Sequence, residues 1–269
     1  MEFIGQPVVI DNRSGASGMV AAEIVAKAPA DGYTVLAGTE ATLVTNPLLL
    51  PKAPYNTQRD FAPITMTAAV NHVLLVHPSL PATSVQELIA IARSSPGQLN
   101  YASSGSGSAF HLGMEQFKRM AAVDIVHVPF KGSALSVGAM LAGDVQMMLI
   151  GTATGLPLAR TGKARALAMA SAKRSPLAPE LPTIAEAGVP GYEISSWFGA
   201  VVPAATAAPV IAKLHADFIR ALRSPDLRAR LAPAGYEIIA NTPQQFSAHM
   251  LAQTRRLASV IREAGIRPE

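Results

Sequence analysis

The chain has no cysteine. That excludes disulfides, thiol nucleophiles, iron–sulfur clusters and cysteine-held zinc, and it leaves the compartment undecided. Aromatic residues are only 5% and charged residues 15% of the sequence. The interleaved basic and aromatic side chains that single-stranded nucleic acid binders use are missing, so no nucleic acid partner is expected. No GxSxG elbow, SxxK motif, HExxH motif or P-loop occurs, and GSGSAF after Ser104 lacks the third glycine of a dinucleotide fingerprint. The histidines, at 72, 77, 111, 127, 215 and 249, include no pair at i, i+4 spacing. Together these absences argue against an enzyme. No apolar run is long enough to cross a membrane without interruption: Leu135 to Leu158 is cut by Gly143-Asp144 and punctuated by Gly151, Gly155 and Pro157. It reads as helix, turn, buried strand and loop. The start, MEFIGQPVVIDN, shows no basic region followed by an apolar one, so no secretory signal is read in the chain as given.

What is present is a large apolar content, 49% of 269 residues, enough for two packed domains. The net charge of +4 owes much to Arg220, Arg223, Arg228, Arg230, Arg255, Arg256, Arg262 and Arg267, read mostly as solvated helix faces. Apolar runs at residues 8–10, 33–38, 72–78, 99–103, 124–129, 144–151 and 164–170 alternate with helical patterns such as MVAAEIVAKA, SVQELIAIARS, SAFHLGMEQFKRMA and SALSVGAMLAG. This is the βαβ rhythm of an α/β protein with a mostly parallel sheet covered on both faces. Thr83-Ser84 ahead of Glu87 signals a helix start, and Pro96-Gly97 and Gly143 signal stops. Met114, Met120, Met140, Met147 and Met148 read as core filler.

The most informative segment is Tyr101 to His111, YASSGSGSAFH, a strand running through a Ser/Gly turn into a helix. Gly105 and Gly107 permit positive φ and close approach to a ligand, while Ser103, Ser104, Ser106 and Ser108 set hydroxyls beside the unpaired N–H groups of a helix start. The chemistry suits an anion; an ordinary serine-capped turn is the alternative. Similar loops close Val35-Leu-Ala-Gly-Thr39 and follow Ile125-Val-His-Val-Pro-Phe-Lys-Gly132, again at the carboxyl ends of apolar runs, where open α/β sheets bind ligands. His127, within an apolar strand, reads as a core imidazole, whereas His111 stands at the helix start as a candidate ligand contact.

After about residue 171 the rhythm gives way to SAKRSPLAPELPTIAEAGVPGYEISSWFGAVVPAA, dense in Pro and Gly and carrying the one tryptophan, Trp197; two helical segments follow, from Ala208 and from Pro243. A chain leaving one α/β unit near Pro78 and returning near Ser195 makes two lobes joined by two crossings, a hinge arrangement. The expected lobes are 1–77 plus 196–269, and 78–195.

With the glycine loop, VHVPFKG and the SAKRSP…LPTIAEAGVPGYEISSWFG segment in hand, the chain resembles the Bug-type, TctC-like solute-binding receptors of tripartite tricarboxylate transporters. VVIDNRSGASGMVAAEIVAKAPADGYTVLAGT, NPLLLPKAPYNTQRDFAPI and EAGI extend the resemblance over essentially the whole chain. It implies a type II periplasmic binding protein fold whose two lobes close on a small carboxylate (a dicarboxylate, tricarboxylate or acidic amino acid). It also implies no catalytic residue, no cofactor, a periplasmic location, a monomer, and delivery to the membrane components of the transporter. The implied contacts are Gly38, Thr39 and Glu40 after the YTVLAG run, Ser103, Ser104, Gly105, Ser106 and Gly107, Lys131 and Gly132, Thr152 and Ala153, and Trp197 and Phe198 on the return crossing, beside His111 as the candidate that its place at the helix start offers. Family members begin with a signal peptide, a first strand, a glycine loop and a first helix, which this sequence does not show; Ile4-Gly5-Gln6-Pro7 reads as a helix end. The corresponding expectation is a first lobe short of one jaw, with weak binding and poor solubility. Two other readings stay open on the residues: an α/β enzyme using His111 or Lys131 on a small acid, and a non-exported relic with a sensor or partner role.

Overall fold

A computed structural model describes residues 6–13, 18–50 and 52–266. In chain order its elements are α1 (Met19–Ala26), β1 (Leu36–Thr39), a π-helical turn (Ala41–Thr45), α2 (Asn46–Leu49), α3 (Thr57–Asp60), β2 (Phe61–Val76), α4 (Val85–Ser94), β3 (Asn100–Ser103), α5 (Ala109–Ala121), β4 (Val126–Pro129), α6 (Ser133–Ala142), β5 (Met147–Gly151), α7 (Thr152–Arg160), β6 (Arg165–Met169), β7 (Ser195–Pro203), α8 (Ala208–Leu222), α9 (Pro225–Leu231), β8 (Tyr236–Ile238) and α10 (Pro243–Glu263). Two compact units emerge: the described chain up to Ala69 with Trp197–Ser259, and Val70–Ser196 with the chain from Val260 on. The division falls inside the continuous strand β2, earlier than the strand end at Pro78 that sequence punctuation marks.

In the first unit β1 runs antiparallel to β7, from Leu36 opposite Val201 to Thr39 opposite Phe198. β7 is followed in the sheet by β2, which β8 also pairs. Ile64, Ala200 and Val202 form a core against Val35, Ala62 and the α8 residues Ile211, Leu214 and Phe218. Gly199 lets α10 lie flush on the sheet: a Cβ there would sit 2.1 Å from Phe246 Cζ. The apolar run Val8-Val9-Ile10 reads as a strand by composition, yet it is not one. It pairs with no strand among the described residues and Val9 is 86% exposed. An apolar run becomes a strand only where a ladder partner satisfies its backbone. The helix end read at Ile4 to Pro7 lies partly outside the described residues.

In the second unit, β3 lies parallel to both β4 and β5, with Ser103 opposite Pro129 and Ala102 opposite Met148. The second half of β2 is antiparallel to β5 and β6, so the local order is β6-β2-β5-β3-β4. α5 carries the chain from β3 out to β4, and α6 brings it back past β3 to β5. Right-handed crossovers of opposite direction put these two helices on opposite faces, so the sheet is covered on both sides and the strand order reverses at β3. Val73, Leu75, Met140, Met148 and Ile150 are core residues between sheet and helices.

The local signals are realised. Ser84 Oγ accepts the Glu87 N–H at 3.1 Å while Glu87 Oε2 accepts the Thr83 N–H at 2.6 Å, a reciprocal cap on α4. Gly143 ends α6 at φ 85°. Met114, Met140, Met147 and Met148 are fully buried; Met120 is half-buried. One expectation fails: residues 152–158, read as loop from Gly151, Gly155 and Pro157, are helical. Gly155 there is a contact residue rather than a breaker, since a Cβ would lie 2.4 Å from Val73 Cγ1.

Candidate functional site

Because β4, β3 and β5 are parallel, their carboxyl ends share one edge of the second unit's sheet, and each end feeds a helix start: β3 into α5, β4 into α6, β5 into α7. Three helix amino termini therefore open at the edge where the strand order reverses. That is the place an open α/β sheet offers an anion, through unpaired N–H groups and the positive ends of helix dipoles.

Their caps differ. Ser108 caps α5 with its side chain, accepting the His111 N–H at 3.3 Å. α6 and α7 begin on Gly132, at φ 107°, and Gly151, with no side-chain cap on either, which leaves their first N–H groups to other acceptors. Thr152 Oγ1, on the first residue of α7, is buried and has no hydrogen-bond partner among the described residues.

The loop between β3 and α5 is held by the side chains of Ser103, His111 and His127. Ser103 Oγ donates to the Gly105 carbonyl at 3.1 Å and accepts the Gly105 N–H at 3.2 Å. Gly105 stands at φ 131° and Gly107 at φ 75°, both costly for a residue with a Cβ. Gly107 N–H donates to His111 Nδ1 at 2.9 Å, and Ser103 Oγ meets His127 Nε2 at 2.7 Å. Residues 104–108 stay half-exposed while Ser103 is fully buried. Lys131 and Ala153 are exposed, beside half-buried Gly132 and buried Thr152.

The sequence reading thus found one group whose members the fold does bring to one edge: Ser103 to Gly107, His111, Lys131, Gly132, Thr152 and Ala153. His111 differs from expectation in detail, since its Nδ1 is engaged by the loop backbone. Two features were missed. His72, on β2 opposite Gly151, is 1% exposed, with Nε2 3.0 Å from Ser196 Oγ and its ring edge-on to Phe110 at 4.9 Å. Burial pushes its pKa down to about 4, so it is neutral at physiological pH, and Nδ1 has no hydrogen-bond partner among the described residues. The other is a ring column formed by Tyr101, His127 and His111. Its signal was available: Tyr101 and His127 are each two residues before the end of an apolar run, which parallel pairing places side by side.

In the first unit, Gly38 and Thr39 at the end of β1 lie opposite Gly199 and Phe198. Thr39 Oγ1 accepts the Thr42 N–H at 3.1 Å and lies 3.0 Å from Thr42 Oγ1, fixing the π-helical turn, a geometry that recurs at functional sites. Phe198 is half-buried against Tyr236 at 5.7 Å. Trp197 points the other way along β7: it is 0% exposed, set edge-on to Phe246 at 5.5 Å and His249 at 5.4 Å. Its contacts make it a core residue of this unit.

Glu40 is buried and accepts the Thr45 hydroxyl. Burial raises its carboxyl above the ordinary 4.5, against the opposing pull of that hydrogen bond and of Arg256. A raised folded-state pKa favours the fold at low pH, and that contribution is lost as pH rises through the folded-state value. Glu40→Gln keeps the hydroxyl's acceptor and removes the titration. The variant's melting temperature is expected to exceed the wild type's by a margin that widens from acid to neutral pH; a constant or negative margin in a scanning fluorimetry series contradicts this.

Among the described residues, a hollow of about 680 Å³ lies beside the end of α8 with His215, Arg220 and Arg223, and another of about 410 Å³ lies between α7 and β6. Neither touches the strand-end loops.

The family model described as the tripartite tricarboxylate transporter family receptor matches residues 1–266. The chain belongs to this receptor family. It is 35% identical to protein BugT of Bordetella pertussis, over 98% of this chain and 81% of that one. Among solved structures it is similar to R. palustris Rpa4515 with adipate, at 42% identity and TM-score 0.80, covering 100% of this chain and 90% of that one. It is also similar to MatC from Rhodopseudomonas palustris with bound malate, at 32% identity and TM-score 0.75, covering 97% and 90%. The receptor family's members bind solutes rather than transform them, in keeping with a strand-end edge rich in backbone donors. No helix among the described residues is long and apolar enough to cross a membrane.

Proposed function

We propose that this receptor captures a small dicarboxylate and hands it to the membrane components of a tripartite transporter on the periplasmic side, without chemical change. The observation that carries the reading is the convergence of three helix amino termini on one sheet edge, two of them with glycine caps that leave backbone N–H groups for an anion. A carboxylate gains about 0.3 to 1 kcal/mol at a helix start, up to about 2 when partly buried. Hydrogen bonds to a charged group add about 1.5 to 3 kcal/mol each, so three or four of them support affinity near micromolar, about 8 kcal/mol. The adipate and malate held by the two solved relatives support the ligand class. The Ser103–Gly107 loop, Gly132 and Thr152 are the proposed contacts in the second unit.

Scanning fluorimetry of the full chain against mono-, di- and tricarboxylates and acidic amino acids, with 1,6-hexanediol as the uncharged control, tests this. A melt raised by dicarboxylates in proportion to RT ln(1 + [L]/Kd), and unmoved by the diol, is expected. A melt that no carboxylate moves, or that the diol moves equally, overturns it.

A further inference from the structure

Two imidazoles lie ring on ring beneath the Ser/Gly loop. His111 and His127 stack with centroids 3.8 Å apart and planes 12° from parallel, and Tyr101 covers His127 at 4.8 Å and 20°. Each histidine holds one end of the loop. His111 Nδ1 accepts the Gly107 N–H at 2.9 Å, and His127 Nε2 meets Ser103 Oγ at 2.7 Å. Ser103 in turn engages both the carbonyl and the N–H of Gly105, at 3.1 and 3.2 Å. Both glycines of the loop, held at positive φ, are therefore set by the pair.

We infer that His111 and His127 are positioning residues that hold the Ser103–Gly107 loop in its anion-binding shape only while His111 is neutral, so that acidification releases the ligand. This rests on the reading of that loop as the carboxylate site. An imidazole accepts a hydrogen bond at Nδ1 only when that nitrogen carries no proton. A proton there sets one N–H against another, and the Gly107 amide must turn away.

Two neighbours oppose a proton on His111. His111 is the third residue of α5, at the positive end of the helix dipole, which disfavours an imidazolium. At 3.8 Å a protonated partner ring repels it as well. Tyr101 from β3 stacks on His127, and Glu115 and Lys118 from α5 stand at Tyr101. They satisfy one another: Glu115 Oε1 accepts the Tyr101 hydroxyl at 2.6 Å and Lys118 Nζ at 2.7 Å. Burial and the Glu115 carboxylate together push the Tyr101 phenol upward, so it stays a donor and brings no charge to the stack. Histidine is the side chain whose charge ordinarily changes between about pH 5 and 8, and burial, the helix start and the stacked ring all move that change toward acid, so the loop's shape is expected to respond at the acid end of the range.

The test uses the full chain, adipate as probe, and nitrogen-15 amide spectra from about pH 8 to about pH 5. The Gly107 amide is expected to titrate in step with the His111 ring. Adipate affinity in the wild type is expected to fall about three- to tenfold more over that range than in His111→Asn, the worth of one hydrogen bond. Asparagine sets an acceptor near the position of Nδ1 and does not titrate, which also removes the ligand's own ionisation from the comparison. His111→Leu, with no acceptor, is expected to bind adipate more weakly than His111→Asn at every pH. A Gly107 amide indifferent to the His111 titration, or equal pH slopes in wild type and His111→Asn, overturns the inference. Should adipate bind at no pH, the carboxylate reading fails, while the Gly107 amide of the unliganded protein still decides whether His111 positions the loop.

Discussion

Replacing Gly105 by alanine is expected to weaken dicarboxylate binding by about 5- to 150-fold, the equivalent of about 1 to 3 kcal/mol of backbone strain. The cost is conformational. Gly105 stands at φ 131°, and a Cβ there meets nothing closer than the Phe130 carbonyl oxygen at 3.6 Å, an ordinary contact. An alanine fits the space but not the backbone, so the chain relieves the strain by turning. Both of Gly105's bonds to Ser103 are then lost, and the N–H groups offered to the ligand move with them. The loop is half-exposed, so the fold as a whole loses little. Calorimetry with adipate, read beside a thermal melt, separates the two effects: affinity falls sharply while the melting temperature changes by a few degrees. Wild-type affinity in Gly105→Ala would contradict the placement of the site.

The second large effect concerns stability and lies in the other unit. Trp197→Ala is expected to cost about 3 to 5 kcal/mol, the range for emptying a buried aromatic position. Its ring is wholly enclosed, edge-on to Phe246 and His249, so truncation leaves a cavity between β7 and α10. For a chain of this size that lowers the melting temperature by about 10 °C. Trp197→Phe gives a sharper test. Trp197 Nε1 is buried without a hydrogen-bond partner among the described residues, so phenylalanine discards an unsatisfied donor along with part of the ring. Its loss is expected to be less than half that of alanine. Equal losses would contradict this account, since alanine forfeits whatever the indole nitrogen makes and the packing of the ring besides.

The second unit was the more legible of the two. Its strands and helices follow the apolar runs, because strands buried on both faces and helices with serine starts and glycine stops leave their mark in the residue order itself. The strand-end loops followed for the same reason: glycines and serines between a strand and a helix mark a turn into a helix start locally. What stayed hidden depends on residues far apart in the chain. Gly155 reads as a breaker until Val73, eighty-odd positions away, shows that it is a close-approach residue. His72, in the middle of an apolar strand, carries no sign that Ser196 will meet it. Trp197, which the family resemblance suggests as a ligand contact, is enclosed by α10, a helix far along the sequence. The run Val8 to Ile10 shows the converse limit, since its composition fits a strand but a strand also needs a neighbour.

The carboxyl ends of β3, β4 and β5 are proposed to hold the ligand's carboxylate through backbone N–H groups. This placement is tested most directly by mapping amide chemical shifts of the full chain on addition of the dicarboxylate that raises the melt most. The largest shifts are expected at Gly105, Gly107, Gly132 and Thr152, with those of His215 and Arg223 beside the α8 hollow unmoved. Shifts centred on α8, or none at the three helix starts, would contradict it.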